Sequence, residues 1–388
     1  MQTPWEPVLQ AGHREQPDAP VRTILCVVGT RPEAIKLAPV IQALRAEPWT
    51  RVLVVATAQH RELLDQALSF FDIPIDIDLD LMRADQAPAE LTARMIPALD
   101  EVFRRERPDL VLAQGDTSTV LVAALCAFYR KASFAHVEAG LRTGDKYFPF
   151  PEEMNRVLVS RLADLHFAPT AGARESLLRE GVDTERIVVT GNTVIDALLW
   201  TAGRDLPGDF GPREGRRLLL VTAHRRENFG EPLEEICQAL LDLVNTRPVE
   251  VLYPVHPNPN VSRVVQQRLG SHPRIRLVAP LDYPSFVAAM KASHLILTDS
   301  GGVQEEAPSL GKPVLVLRDE TERPEAVAAG TAIIVGPRKD RILAETLRLL
   351  DDSTAYERMA STANPFGDGF ASKRIVLALK SRLNLQRC

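Results

Sequence analysis

The 388 residues carry 46 basic and 51 acidic side chains, a net charge of −5, and are 45 % hydrophobic and 25 % charged. That is the composition of a globular chain, long for one core and comfortable for two domains. It argues against a nucleic-acid partner, because no basic tail or block is present to bind a phosphate backbone. It also argues against a membrane span, because no apolar run approaches the ~20 residues required.

Residues 1–20, polar and rich in proline, lack the apolar core of a signal peptide and are expected to form a loose tail. Short apolar runs then alternate with helical patterns to the end of the chain, which predicts mostly parallel sheets with helices on both faces. In the first half, strands are expected over Thr23–Val28, Arg51–Ala56, Asp109–Ala113, Ser133–Val137, Leu165–Ala168 and Ile187–Thr190. Helices are expected over Pro32–Glu47, Glu62–Phe71, Pro88–Arg107, Ser118–Arg130 and Glu152–Ala163, with Pro32 suited to a first helical position. The segment Ile75–Asp80 alternates with period two and predicts a strand with one wet face. Residues 203–212, rich in Gly and Pro, read as an interdomain linker. Beyond them a second series of strands is expected over Arg217–Thr222, Glu250–Pro254, Ile275–Val278, Leu295–Thr298, Pro313–Leu317 and Ala332–Val335. An amphipathic helix over Ala371–Leu383 closes the chain. Cys26, Cys126, Cys237 and Cys388 form no C-x-x-C pair, so neither a disulfide framework nor a cysteine-rich zinc site is expected, and the compartment is read as reducing cytoplasm. Two doubly wound halves of this kind imply a cleft between them.

The polar groups fall at strand ends. Gly29-Thr30-Arg31-Pro32-Glu33-Ala34-Ile35-Lys36 is a strand–turn–helix junction in which Arg31 and Lys36 are placed to neutralise a diphosphate; a solvated first helical turn is the bland alternative. It is neither G-x-G-x-x-G nor a P-loop, so dinucleotide binding and NTP hydrolysis lack their fingerprints. Asp116 and Glu138 end apolar strands, and Glu152 opens a helix, where acids are favoured whatever the function. His136 and Glu138, two apart, are expected to point the same way, yet no further His or Cys lies close enough to suggest a metal site. Period-two alternation likewise explains Asp76, Asp78 and Asp80 without a metal. His224, beside Arg225 and Arg226, has its neutral form favoured by like charge, which suits a general base or a donor to phosphate. In the segment 294–326 a buried strand runs into Asp299-Ser300-Gly301-Gly302 and then a helix start over Val303–Leu310. Such a turn presents a hydroxyl and bare N–H groups to a phosphate-bearing ligand.

Taken together, GTRPEAIKLAP, QGDTST, HVEAGLRTGDKYFPFPEEMNR, TAHRREN, YPVHPNPNV, TDSGGVQEEAPSLGKPVLVLRDETERPEA and NPFGDG resemble the bacterial non-hydrolysing UDP-N-acetylglucosamine 2-epimerases, from about Ile24 to the last helix. The resemblance implies an α/β fold of two Rossmann-like doubly wound domains around a central cleft, GT-B-like, with the C-terminal helix crossing back to the first domain. On that basis residues 21–200 and 366–388 form the N-terminal domain and 201–365 the UDP-binding domain. It implies reversible epimerisation of UDP-GlcNAc to UDP-ManNAc with neither metal nor cofactor, by loss of UDP to 2-acetamidoglucal and re-addition, for cell-surface polysaccharide. Asp116, Glu138, Glu152 and His224 match the catalytic set; Arg31, Lys36, Phe286, Ser300, Gly301, Gly302, Glu306 and Arg323 match the UDP contacts. The family also implies a homodimer and a second UDP-GlcNAc as activator, matched by Gln59, His60, Arg61, Arg225 and His256. There Glu62 and Asp85 depart from some relatives, and two acids facing a diphosphate are unfavourable. The competing readings are a hydrolysing epimerase releasing ManNAc and UDP, a glycosyltransferase of the same fold, and a non-catalytic nucleotide-sugar sensor.

Overall fold

The structure, a computed structural model, describes residues 21–57, 61–81, 83, 86–213 and 215–385. The tail expected over residues 1–20, Gln59, His60, Asp85 and Cys388 lie outside the described residues, and the side chains of Arg61 and Glu62 are not described. The chain divides into two compact units: residues up to Ala197 together with those from Gly367 on, and Leu198–Phe366.

The first unit runs β1 (Arg22–Val28), α1 (Arg31–Arg45), β2 (Thr50–Ala56), α2 (Arg61–Phe70), β3 (Ile77–Asp78), α3 (Pro88–Glu106), β4 (Leu110–Gln114), α4 (Ser118–Arg130), β5 (Ser133–Val137), α5 (Glu152–Leu162), β6 (Leu165–Ala168), α6 (Ala171–Arg179), β7 (Ile187–Val189) and α7 (Thr193–Ala202), whose end enters the second unit. Among the described residues its strands form one parallel sheet in the order β3-β2-β1-β4-β5-β6-β7. The strands are apolar on both faces, with Ile24 to Val28 and Val111 to Ala113 all at 0 % exposure, as strands covered by helices on both sides must be.

One expected strand shrinks. Of Ile75–Asp80 only Ile77–Asp78 pair as β3. The acids serve the backbone instead: Asp76 accepts from Val54 N at 2.8 Å and pairs with Arg45 at 3.0 Å, while Asp78 accepts from Asp80 N at 3.1 Å. With Asp80 at φ +44 the chain turns away before a ladder can extend.

The second unit runs β8 (Arg217–Thr222), α8 (Glu231–Thr246), β9 (Val249–Pro254), α9 (Pro259–Leu269), β10 (Ile275–Val278), α10 (Tyr283–Ala292), β11 (Leu295–Thr298), α11 (Gly301–Glu306), β12 (Val314–Val316), α12 (Pro324–Ala329), β13 (Ala332–Ile334), α13 (Lys339–Asp351) and α14 (Ser353–Ala360). Its described strands are again parallel, in the order β10-β9-β8-β11-β12-β13. The last helix, α15 (Ala371–Leu385), belongs to the first unit, where it packs on α1. Asp196, 2 % exposed, fastens its start by accepting from Ser372 N at 2.7 Å and Ala371 N at 3.1 Å.

Both sheets reverse their winding next to their first strand, between β1 and β4 and between β8 and β11. Loops leaving the carboxyl ends of those strands diverge to opposite faces, which opens a crevice there in doubly wound sheets. The polar segments at Gly29, Asp116, His224 and Asp299 all leave from these ends.

Behind that rim, His136 and His166 stand opposite each other on β5 and β6, both almost fully buried. Burial pushes His136 down to about 4 and His166 down to about 3. A histidine depressed in the folded state stabilises above its ordinary value near 6.5 and loses that stability as pH falls. Relative to His166→Leu, the wild-type chain should therefore lose about 3 kcal/mol more stability between pH 7 and pH 4, read by denaturant unfolding at each pH. Parallel pH dependences would contradict this.

Candidate active site

In the first unit the site is built around Glu138. β5 ends at Val137, and Glu138 then adopts φ +63, a left-handed conformation that costs a non-glycine residue about 1–3 kcal/mol. The turn swings its carboxylate, 8 % exposed, into a nest of donors. Lys36 Nζ from α1 reaches both oxygens at 2.6 and 2.7 Å, Asn192 Nδ2 donates to Oε1 at 3.0 Å, and the Gln114 side-chain amide at the end of β4 donates to Oε2. The same turn corrects the expectation that His136 and Glu138 point the same way. The His136 ring bonds Gly115 O at 2.7 Å, whereas Glu138, past the strand end, no longer follows its alternation.

Asp116 follows Gly115, whose φ of +88 makes the turn out of β4. Its carboxylate is held by Arg156 through Nε at 2.9 Å and Nη2 at 2.7 Å. Of the two acids opening α5, Glu153 is the structural one: it is 3 % exposed, accepts from Thr143 N and Gly144 N at 3.1 and 3.0 Å, and pairs with Arg156. Glu152 is half-buried and has no hydrogen-bond partner among the described residues. Arg31, at the first position of α1, is similarly uncommitted among the described residues, so the two cations of that junction differ: Lys36 neutralises Glu138 and Arg31 stays available. Glu33, two residues past Arg31, was not singled out by sequence. It is 2 % exposed and accepts from Gly29 N at 2.6 Å, Thr30 N at 2.8 Å and the Thr117 hydroxyl, tying the β1 turn to the loop that carries Asp116.

In the second unit His224 leaves β8 and Asp299 leaves β11, side by side. Asp299 is fully buried; its Oδ2 accepts from His224 N at 2.7 Å, Arg225 N at 2.8 Å and Asn228 Nδ2 at 3.0 Å. The His224 ring lies stacked on His256, with centroids 5.4 Å apart at 11°. Its pKa is lowered, first by burial and then by Arg225 and His256, while Asp299 pulls the other way. Burial is thus the leading cause, and of the two neighbouring arginines only Arg225 contributes.

The 294–326 segment brings its expected residues together within this unit. α11 spans only Gly301–Glu306 and tightens into a 3-10 turn over Ala307–Leu310, shorter than the helix expected over Val303–Leu310 because Pro308 lacks the N–H to continue it. Ser300, its cap, uses no side-chain bond there. Arg323 is anchored on the buried Glu305 and covers Gly301, where a Cβ would sit 3.7 Å from the guanidinium carbon. Tyr283 donates to Glu306 Oε1 at 3.3 Å, and Phe286 follows one turn later on α10, half-buried. Asp299, Asn228, Gln114, Asn192 and Tyr283 were not singled out by sequence; the signal available for Asp299 was its place after an apolar strand, the same as that of Asp116. Among the described residues no helix is long and apolar enough to cross a membrane, and no group of three His, Cys, Asp or Glu side chains gathers as for a metal ion.

The family model for UDP-N-acetylglucosamine 2-epimerase matches residues 42–380. The UDP-N-acetylglucosamine 2-epimerase of Salmonella typhimurium is 50 % identical over 369 residues, covering 92 % of this chain and 98 % of that protein. Among solved structures, the UDP-GlcNAc 2-epimerase of Neisseria meningitidis bound to UDP-GlcNAc superposes with a TM-score of 0.83 at 46 % identity, over 92 % of this chain and 100 % of that one. The Methanocaldococcus jannaschii UDP-GlcNAc 2-epimerase in complex with UDP-GlcNAc and UDP does so at 0.73 and 33 % identity, over 92 % and 99 %.

Proposed function

Because the chain belongs to the UDP-N-acetylglucosamine 2-epimerase family, we propose that it inverts C2 of UDP-GlcNAc without net hydrolysis, through elimination and re-addition of UDP. No carbonyl adjoins C2 to acidify its proton, so direct deprotonation is too slow. Anti elimination avoids this: a base removes the C2 proton as the C1–O bond to the diphosphate breaks, leaving 2-acetamidoglucal. A proton delivered to the other face of C2, with UDP adding back at C1, gives UDP-ManNAc. The route asks for carboxylates and an imidazole for proton transfer, and for cations and donors that hold the departed UDP.

In this proposal Asp116, Glu138, Glu152 and His224 carry the proton transfers. Arg31, Ser300, Gly301, Gly302 and Arg323 hold the diphosphate, Glu306 takes the ribose hydroxyls and Phe286 packs the uracil. Lys36 is reassigned from UDP to the charge of Glu138. The observation that carries the proposal is the Glu138 carboxylate, buried at the end of β5, one strand away from the winding reversal, and gripped by Lys36 at 2.6 Å. A carboxylate paid for with backbone strain and three donors is arranged for chemistry rather than for packing.

The proposal extends to a homodimer, supported by the exposed apolar side chains of Phe128 and Tyr129 on α4, 60 and 61 % exposed, and of Leu158 on α5, a helix packed against α4. It also includes a second UDP-GlcNAc acting as activator through Arg225 and His256, a cytoplasmic setting in keeping with the free thiols of Cys26, Cys126 and Cys237, and supply of ManNAc for surface polysaccharide.

Incubating the chain with UDP-GlcNAc in D2O and following C2 by NMR tests the reaction. Solvent deuterium is expected at C2 as UDP-ManNAc appears, with no steady rise in UDP. Free ManNAc with accumulating UDP would replace this proposal by hydrolysis, and absence of C2 exchange would remove catalysis altogether.

A further inference from the structure

We propose that Asp299 is a positioning residue that fixes the tautomer and orientation of the His224 imidazole, holding the proton on Nδ1 and leaving Nε2 to act on substrate. The inference rests on the function proposed above for the part His224 plays, but its geometry stands by itself. Asp299 Oδ2 is saturated by the His224 and Arg225 backbone N–H groups and the Asn228 amide. Oδ1 is different: it is buried without a hydrogen-bond partner, and the nearest cationic or potentially cationic atom assigned to it is His224 Nδ1 at 3.3 Å. A buried carboxylate oxygen has a strong need for a donor, and an imidazole N–H is the one within reach.

The neighbours leave His224 few other choices. His256, stacked against it, accepts from Asn258 N at 3.2 Å through its own Nδ1, which is thereby already engaged. Its ring therefore closes one face of His224 without offering an acceptor to Nδ1. Arg225, next in the chain, is cationic and opposes protonation of His224; Asp299 favours it. No partner among the described residues holds Nε2, and the His224 side chain is 38 % exposed while Asp299 is at 0 %. The carboxylate thus faces the inner nitrogen and leaves the outer one open.

Asp299 also heads the turn that continues into Ser300, Gly301 and Gly302. Asn228 extends the clamp by donating to Leu317 O at 3.1 Å at the end of β12. One side chain therefore sets the imidazole and the start of the ligand turn together, as an aspartate sets the histidine tautomer in hydrolase triads.

The experiment is 15N–1H NMR of the His224 ring in the full-length chain, assigned by comparison with His224→Gln. In the wild type, Nδ1 is expected to carry the proton; a predominantly Nε2-protonated ring would overturn the proposal without any variant being needed. In Asp299→Asn the amide oxygen can still accept from the two backbone N–H groups, which turns its NH2 toward Nδ1. The ring should then switch to the Nε2-protonated form, its titration midpoint should fall, and kcat should drop by about 100-fold. Loss of kcat with tautomer and midpoint unchanged would mean a structural role only and would overturn the proposal. The NMR readouts need no turnover, so their failure is distinct from failure of the C2 exchange experiment.

Discussion

Glu138→Gln is expected to lower kcat for epimerisation by about 1,000-fold while the chain still folds. Lys36, Asn192 and Gln114 all approach the carboxylate as donors. An amide of the same shape keeps one acceptor oxygen, but it has no charge to take up or release a proton. Lys36 is left without its anion, and the new NH2 faces other donors, so stability should fall as well, by about 1–3 kcal/mol. UDP binding measured by calorimetry should change little, because this carboxylate is assigned to proton transfer and not to the nucleotide. A variant that keeps kcat within about tenfold would remove Glu138 from the proton-transfer set.

Glu33→Ala is expected to cost about 3–5 kcal/mol of stability and to lower Tm by about 10 °C. Removing the side chain leaves the N–H groups of Gly29 and Thr30 and the Thr117 hydroxyl without their acceptor in a place that is 2 % exposed. The damage should reach activity too, since Thr117 caps α4 directly after Asp116. Burial pushes Glu33 up to about 7 against the hydrogen bonds that pull it down. An acid raised in the folded state stabilises below its ordinary value, near 4.5, and loses that contribution as pH rises through 7. The penalty of Glu33→Gln should therefore shrink between pH 4.5 and pH 7. Calorimetric scans check the first expectation and denaturant unfolding at several pH values the second; a Tm within 2 °C of wild type for Glu33→Ala would refute the role given to the buried carboxylate.

Long parallel strands are easy to read because burial on both faces makes them continuous apolar runs such as Leu218–Val221. The expected strand over Ile75–Asp80 misled for the opposite reason. Period-two alternation is also what a turn-rich acidic segment can show, and the partner of Asp76, Val54, lies 22 residues away. The same holds at α5: Glu152 and Glu153 are indistinguishable in sequence, and only the fold puts Glu153 against the Thr143 and Gly144 N–H groups.

By itself the sequence determined the α/β class, the two wound halves and the strand-end positions of the polar motifs, because these depend on local periodicity and on which residues can turn a chain. It also carried the family, through motifs spread along the chain. The partners of Asp116, Glu138 and His224 were decided by tertiary structure alone. Lys36 and Glu138 are 102 residues apart and Asp299 and Arg225 are 74 apart. Strand order brings each pair together: β4 alone separates β1 from β5, and β8 lies next to β11. A hydrogen bond depends on position to within a few tenths of an ångström, and no local pattern encodes that across so long a loop of chain.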